Sequence, residues 1–297
     1  MTGKSSSSND SLLHRNLNSS TFLVNCFQSN QNVVIYSTLM IISTVILLPL
    51  CIFILYCGLR QWRQRSPSAT MSHSDCLTFH MVIMELISAI RCFLCCYGIF
   101  RNNDDIIISG MYLFSLIWFG QLFLHLLLCV ELFLAVVYPI TYLSLKKERG
   151  IRIRNISIVC VWLLCFLGMI LMTTGLIFII VDLILSLVSL TIISFCSLSV
   201  LRVLVHPGPG GQGGGKGRAN QMKLRAFYTI VSILGAVLVK FSWGLLEVVF
   251  KMFVTQSHCG LFIVEALLSL PSSLVVPLLF LHREGKLVCF NNNKQSG

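Results

Sequence analysis

Long apolar runs alternate with short polar, mostly basic segments along the whole chain. A helix needs about 20 consecutive apolar residues to cross the hydrocarbon core of a bilayer. Seven runs of that kind predict helices at roughly 33–59, 76–99, 106–138, 155–174, 177–204, 226–250 and 260–281. The fourth and fifth are continuous in character. From Asn155 to Val205 the only charged residues are Asp182 and Arg202. One helix of that length would measure about 76 Å at 1.5 Å per residue, more than twice the bilayer core, so the chain must turn back. Thr173-Thr174-Gly175 is the turn-like spot near the middle, which predicts a very short loop.

Composition strengthens this picture. The chain has 297 residues, of which 56% are hydrophobic and 11% charged. Soluble domains carry about 25% charged residues, so a bilayer is the natural solvent here. A net charge of +11 would suit nucleic acid if it lay on a soluble domain, but the charges cluster between apolar runs, which excludes that reading. Most of the thirteen cysteines sit inside apolar runs and behave as small apolar residues, with no zinc-site spacing among them. The polar N-terminal segment has no apolar region of a cleaved signal peptide.

Basic residues set the expected orientation. With the N-terminus outside, the inner loops and tail hold sixteen Lys and Arg and the outer segments four. The expected architecture is therefore all-α: a seven-transmembrane helix bundle at 33–281, with the N-terminus outside and the C-terminus inside. Asn9 and Asn18 lie in glycosylation sequons of the outer tail, 1–32. The Gly- and Pro-rich segment 206–221 reads as a flexible inner loop. No internal repeat of the kind that builds many transporters is visible.

The end of the third run narrows the function. Glu131-Leu132-Phe133-Leu134-Ala135-Val136-Val137-Tyr138-Pro139 resembles the third-helix motif of rhodopsin-like (class A) G protein-coupled receptors, which is Asp/Glu-Arg-Tyr followed in frame by Ala-Val and a proline. Leu132 stands where the family has its arginine. Trp162 matches the fourth-helix tryptophan, and Val276-Pro277-Leu278-Leu279-Phe280 is similar to the seventh-helix Asn/Asp-Pro-x-x-Tyr with both polar ends replaced. Glu85 stands where the family carries an aspartate in its second helix. Residues 282–297 resemble the short amphipathic eighth helix and tail on the inner face. The departures are the missing third-helix cysteine and its outer-loop partner, a sixth span without proline, and a first span without the family's Gly-Asn pair. The resemblance, from about Val33 to Phe290, is to a divergent member.

The resemblance implies roles. Glu85, Glu131, Leu132, Phe133, Pro277 and Phe280 would form the activation switch, and Glu85 could hold a sodium ion or be a hydrogen-bonded packing group. No other metal or cofactor is implied. Glu131 reads either as a helix-end acid in wet headgroups or as part of an altered switch, with Arg152 or Arg154 as a partner. Lys146, Lys147, Arg152, Lys223 and Arg225 would face a heterotrimeric G protein. Polar residues at membrane depth are Glu85, Arg91, Gln121, His125, Asp182, Lys240, Glu247 and Glu265; such residues usually face a bundle interior or cavity. Among them Arg91, Lys240, Glu247 and Glu265, with Phe114, are the ligand-pocket candidates, and salt bridges among the four charges are the alternative. Phe114 lies where receptors for biogenic amines carry an aspartate, which disfavours an amine. The seventh span has no lysine, which disfavours retinal. Cys26 and Cys259 are the cysteines of the outer segments, and some receptors of the family clip tail to loop with such a pair. Cys289 is either a palmitoylation site or a free thiol.

No HExxH, GxSxG or P-loop pattern occurs, so an enzyme is not expected. The expectation is a plasma-membrane receptor that binds an extracellular ligand and moves a two-state bundle toward a G protein. Its partners would be that ligand, the G protein and membrane lipid, not nucleic acid. A receptor-like scaffold or scavenger that does not signal is the first alternative, favoured by Leu132 and Val276; a transporter or channel is the second.

Overall fold

The computed structural model describes residues 30–64, 73–101, 103–145, 148–174, 176–205, 235–250, 263–264, 266–274, 277 and 280. Helices are α1 (Asn30–Gln64), α2 (His73–Arg101), α3 (Asp104–Val137), α4 (Pro139–Leu145), α5 (Glu148–Leu171) and α6 (Leu176–Val205), with a 3-10 turn at Met172–Thr174 between the last two. Residues 235–250 (α7) and 266–274 (α8) are also helical. No strand occurs among the described residues.

Among the described residues, five helices are long and apolar enough to cross a membrane: Val33–Arg60, Cys76–Arg101, Asp104–Val137, Arg149–Thr174 and Ile177–Val203. Their faces are inverted relative to a water-soluble bundle. On α5, Ile156, Val159, Leu163 and Ile170 are exposed, whereas Ile158, Val161, Cys165 and Gly168 are buried. On α6 the inward stripe is Asp182, Ser186, Ser189, Ile193 and Ser197, at the three-four spacing of one helix face, while Ile184, Leu187, Phe195 and Leu198 point outward. Apolar surface that continues along entire helices matches a lipid solvent, so the molecule is a membrane-spanning protein.

The central element is α3. Asn103 caps its start, accepting a hydrogen bond from the Ile106 amide at 3.2 Å, and Asp104 and Asp105 in the first turn favour the helix dipole. The Tyr138 amide closes the other end on Leu134 O at 3.1 Å, and Pro139 opens α4. One core cluster joins α3 to α2, α5, α6 and α7 through Met84, Phe119, Leu122, Cys165, Ile193 and Phe241. Two smaller clusters lie between α1 and α2 and reach Ala266 at one end and Phe280 at the other. The chain around α8 therefore seats against α1 and α2, while α7 seats on α3.

Glycines permit the closest approaches. A methyl at Gly168 would lie 2.2 Å from the Phe119 ring, and one at Gly110 would lie 2.5 Å from Cys95 Sγ. Small residues at such crossings let membrane helices pack backbone to backbone. Gly168→Ala is expected to destabilise the bundle by about 1–3 kcal/mol, since Phe119 is buried and cannot swing away. A lowered melting temperature in detergent is the measurement, and unchanged melting would contradict the tight α3–α5 crossing.

Candidate functional site

A cleft opens between α1, α2, α3, α7 and α8, at the end where α1 begins and α2 finishes. It brings together three of the predicted pocket residues, Arg91, Phe114 and Lys240, and adds Glu85 from the predicted switch. Each comes from a different reason of helix geometry. Glu85 and Arg91 sit six residues apart on α2, at different depths, and both line the cleft. Phe114 and Gln121 are seven apart on α3, two turns along one face.

A polar chain crosses the floor of the cleft. The Gln121 amide Nε2 donates to Glu85 Oε1 at 2.9 Å, and the Lys240 ammonium donates to Gln121 Oε1. Ser273 lines the cleft together with Glu85. One glutamine thus connects an acid on α2 to a cation on α7, with α8 closing the far side. Gln121 and Lys240 are both buried. The amide suits this place because it donates with one atom and accepts with the other.

Arg91 anchors the upper part. Its Nη1 donates to the Tyr36 hydroxyl at 3.3 Å, its Nη2 lies 3.6 Å from Met40 Sδ, and its guanidinium carbon stands 5.2 Å from the centre of the Phe114 ring. Those contacts hold the fork flat between α1 and α3.

A second cavity lies on the opposite side of Trp118. Glu247 lines it together with Asp182, Ser115 and Phe178, so Glu247 is not part of the Arg91–Lys240 cleft. Trp118 is the partition. Its indole N–H donates to Asp182 Oδ1 at 2.9 Å, and Ser186 reaches the same oxygen at 3.5 Å. The Trp118 ring stacks on Phe114 at 6.5 Å and meets Phe241 edge-on at 6.1 Å. Trp118→Phe keeps the ring and removes the donor. The expected loss is about 1.5–3 kcal/mol, because hydrogen bonds to a charged acceptor exceed neutral ones. Unfolding of the purified variant measures it, and a wild-type melting curve would count against the bond.

A smaller cavity below joins Glu85, Pro277, His125, Ser272 and Ser273. His125 Nδ1 lies 2.6 Å from the Gln121 carbonyl, which can only accept, so Nδ1 carries the hydrogen. His125 Nε2 and Ser272 Oγ have no partner among the described residues, and both line this cavity. Such a space suits an ordered water.

The remaining switch residues lie apart from the cleft. Glu131 Oε1 accepts from the Tyr142 hydroxyl of α4 at 3.1 Å. Leu132 is half-buried against the main core. The Phe133 ring meets Tyr138 at 5.6 Å and Phe195 at 5.8 Å. Phe280 packs edge-on against Phe79 at 6.2 Å and lies in the cluster with Cys51 and Ile54. Trp162 donates to His80 at 3.3 Å, tying α5 to α2. Arg152 is exposed. Asn9, Asn18, Cys26, Lys146, Lys147, Lys223, Arg225, Cys259, Glu265 and Cys289 lie outside the described residues, as do the 206–221 loop and the 282–297 tail.

Gln121 and Asp182 were visible in the sequence as polar residues within apolar spans, but their partners were not. Tyr36 and Ser273 carried no signal at all. Among the described residues no group of three His, Cys, Asp or Glu could hold a metal ion. No protein-family model matches the chain, and no curated protein matches it.

Proposed function

We propose that this chain is a divergent rhodopsin-like receptor of the plasma membrane, with seven spans and an extracellular N-terminus. It takes an extracellular ligand, neither a biogenic amine nor retinal, in the Arg91–Lys240 cleft and passes a bundle rearrangement to a heterotrimeric G protein. The observation that carries this reading is the chain Glu85–Gln121–Lys240. It couples α2, α3 and α7 directly beneath an open cleft, so a ligand bound above can alter how three helices meet. A binding site produces signalling only where it shifts such a two-state element. α7 and α8 supply the sixth and seventh spans on this reading, and Cys26–Cys259, Asn9, Asn18 and Cys289 keep their expected roles.

Lys240 takes over a function that the resemblance gives to sodium. Its ammonium is tethered on the amide that binds Glu85, so the positive charge near this carboxylate is built into the chain. A further metal ion there would meet like charge.

A non-signalling scaffold is the second reading, because Leu132 lacks the charge that contacts a G protein. G protein recruitment in cells expressing the wild-type chain, screened against a ligand library, separates the two. Ligand-dependent recruitment supports the receptor. Surface expression and ligand binding with no recruitment of any G protein class support the scaffold. Solute or ion flux in reconstituted vesicles would instead favour a transporter or channel.

A further inference from the structure

The small cavity beneath the cleft has apolar walls, Met81, Val82 and Pro277, and all three are buried. Two further lining residues bring polar atoms that no group among the described residues satisfies, His125 Nε2 and Ser272 Oγ. His125 is 2% exposed and Ser272 is 0% exposed, so bulk solvent reaches neither. A buried donor or acceptor left unmade is costly, and nearly all such groups in folded proteins have a partner. Room for the centre of a water molecule in this cavity is about 10 Å³, enough for one.

The His125 ring is held from two sides. Its Nδ1 is bound to the Gln121 carbonyl at 2.6 Å, and the Phe241 ring of α7 meets it edge-on at 5.8 Å. With its hydrogen on Nδ1, the uncharged ring presents a lone pair at Nε2, which accepts and cannot donate. Ser272 on α8 brings a hydroxyl that can do either. Glu85 on α2 adds a carboxylate, and it lines the cleft above as well. A metal ion suits this place poorly, since the Lys240 ammonium is tethered to the same Gln121 side chain that binds Glu85.

We propose that this cavity is a built site for one water molecule. The water donates one hydrogen to His125 Nε2 and the other to the Glu85 carboxylate, and it accepts from the Ser272 hydroxyl. Both atoms are then satisfied, and three hydrogen bonds are the usual number for a buried water. The site ties α2, α3 and α8 at one point. Glu85 borders both spaces, so the water carries a change at that carboxylate to His125 and α8, although His125 has no bond to Glu85 of its own. The inference stands on the cavity alone and needs neither a ligand nor a G protein.

The test is nitrogen NMR of the full-length chain in nanodiscs, with its seven histidines isotope-labelled and His125→Phe identifying the signals of that ring. The expected spectrum shows hydrogen on Nδ1 and an Nε2 that accepts a hydrogen bond. Glu85→Gln should shift the Nε2 signal. Ser272→Val, whose side chain fills the place of the water, should move Nε2 to the position of a bare lone pair and abolish the response to Glu85→Gln. Exchanging sodium for choline should leave the signal where it is. A sodium-dependent shift puts an ion in the site and overturns the water. Hydrogen on Nε2, no response to Glu85→Gln, or a response that survives Ser272→Val overturns it as well. If His125→Phe does not fold, the melting temperatures of His125→Gln, Ser272→Ala and the pair decide. The pair should lose less than the sum of the two, and strict additivity overturns the shared water.

Discussion

Leu132→Arg is expected to raise agonist-independent G protein activation several-fold above the wild-type chain. Leu132 is half-buried at the end of α3, next to an acid that already has a partner, since Glu131 accepts from Tyr142 at 3.1 Å. The resemblance puts an arginine at this position, where it pairs with the acid at rest and meets the G protein when active. In this chain Tyr142 occupies Glu131, so a new guanidinium competes for a carboxylate that is partly satisfied. Its long stem can follow apolar surface while the head reaches toward polar surroundings. The resting latch would thus be weak and the coupling contact present. Glu131→Gln added to Leu132→Arg removes the latch and should raise basal activity further. Leu132→Ala controls for loss of packing and should leave basal activity unchanged. The measurement is G protein dissociation in unstimulated cells at matched surface expression. Basal activity equal to wild type across all G protein classes, with normal expression, would sink the receptor reading in favour of the scaffold.

The largest loss of stability is expected from Gln121→Leu, about 3 kcal/mol. Interhelical hydrogen bonds in membrane proteins average about 0.6 kcal/mol, which would make a neutral glutamine a small contributor. Both of its side-chain bonds, however, go to ionisable groups, and bonds to charged partners contribute about 1.5–3 kcal/mol each. Leucine fills a similar volume but leaves Glu85 and Lys240 without their bridge. The same logic predicts strong coupling in a double-mutant cycle. Glu85→Gln and Lys240→Met should each destabilise, and the double variant should lose less than the sum of the two, because neither charge is then left in the bundle without its counterpart. Interaction energies of about 0.5–3 kcal/mol are usual for such neighbours. Denaturant or thermal unfolding in one detergent checks it. Strict additivity would mean that the two groups do not feel each other through Gln121.

Much of the architecture was legible in the chain because a bilayer constrains it so strongly. With no water to satisfy backbone groups, an apolar run of sufficient length has one spanning conformation available in a single chain segment, the helix. That physics made α1, α2, α3 and α6 readable to within five residues, including the reversal near Thr173, whereas α5 begins at Glu148, seven residues before the expected 155. It also marked Gln121, Asp182 and Lys240, since a polar group in an apolar run is costly wherever it faces lipid.

Which polar groups meet could be decided only in three dimensions. Periodicity says that a residue lies on a face, and nothing in it says which helix that face meets. Glu247 and Lys240 share a face by spacing, yet Trp118 stands between them and sends Glu247 to another cavity with Asp182. Arg91 was grouped by sequence with Lys240, Glu247 and Glu265, and the fold adds contacts to Tyr36, Met40 and Phe114. The chain by itself determined a membrane bundle of helices with polar residues turned inward, because length and hydropathy are local properties. The cleft and the Glu85–Gln121–Lys240 chain were decided by tertiary structure, because they depend on contacts between residues up to 119 positions apart.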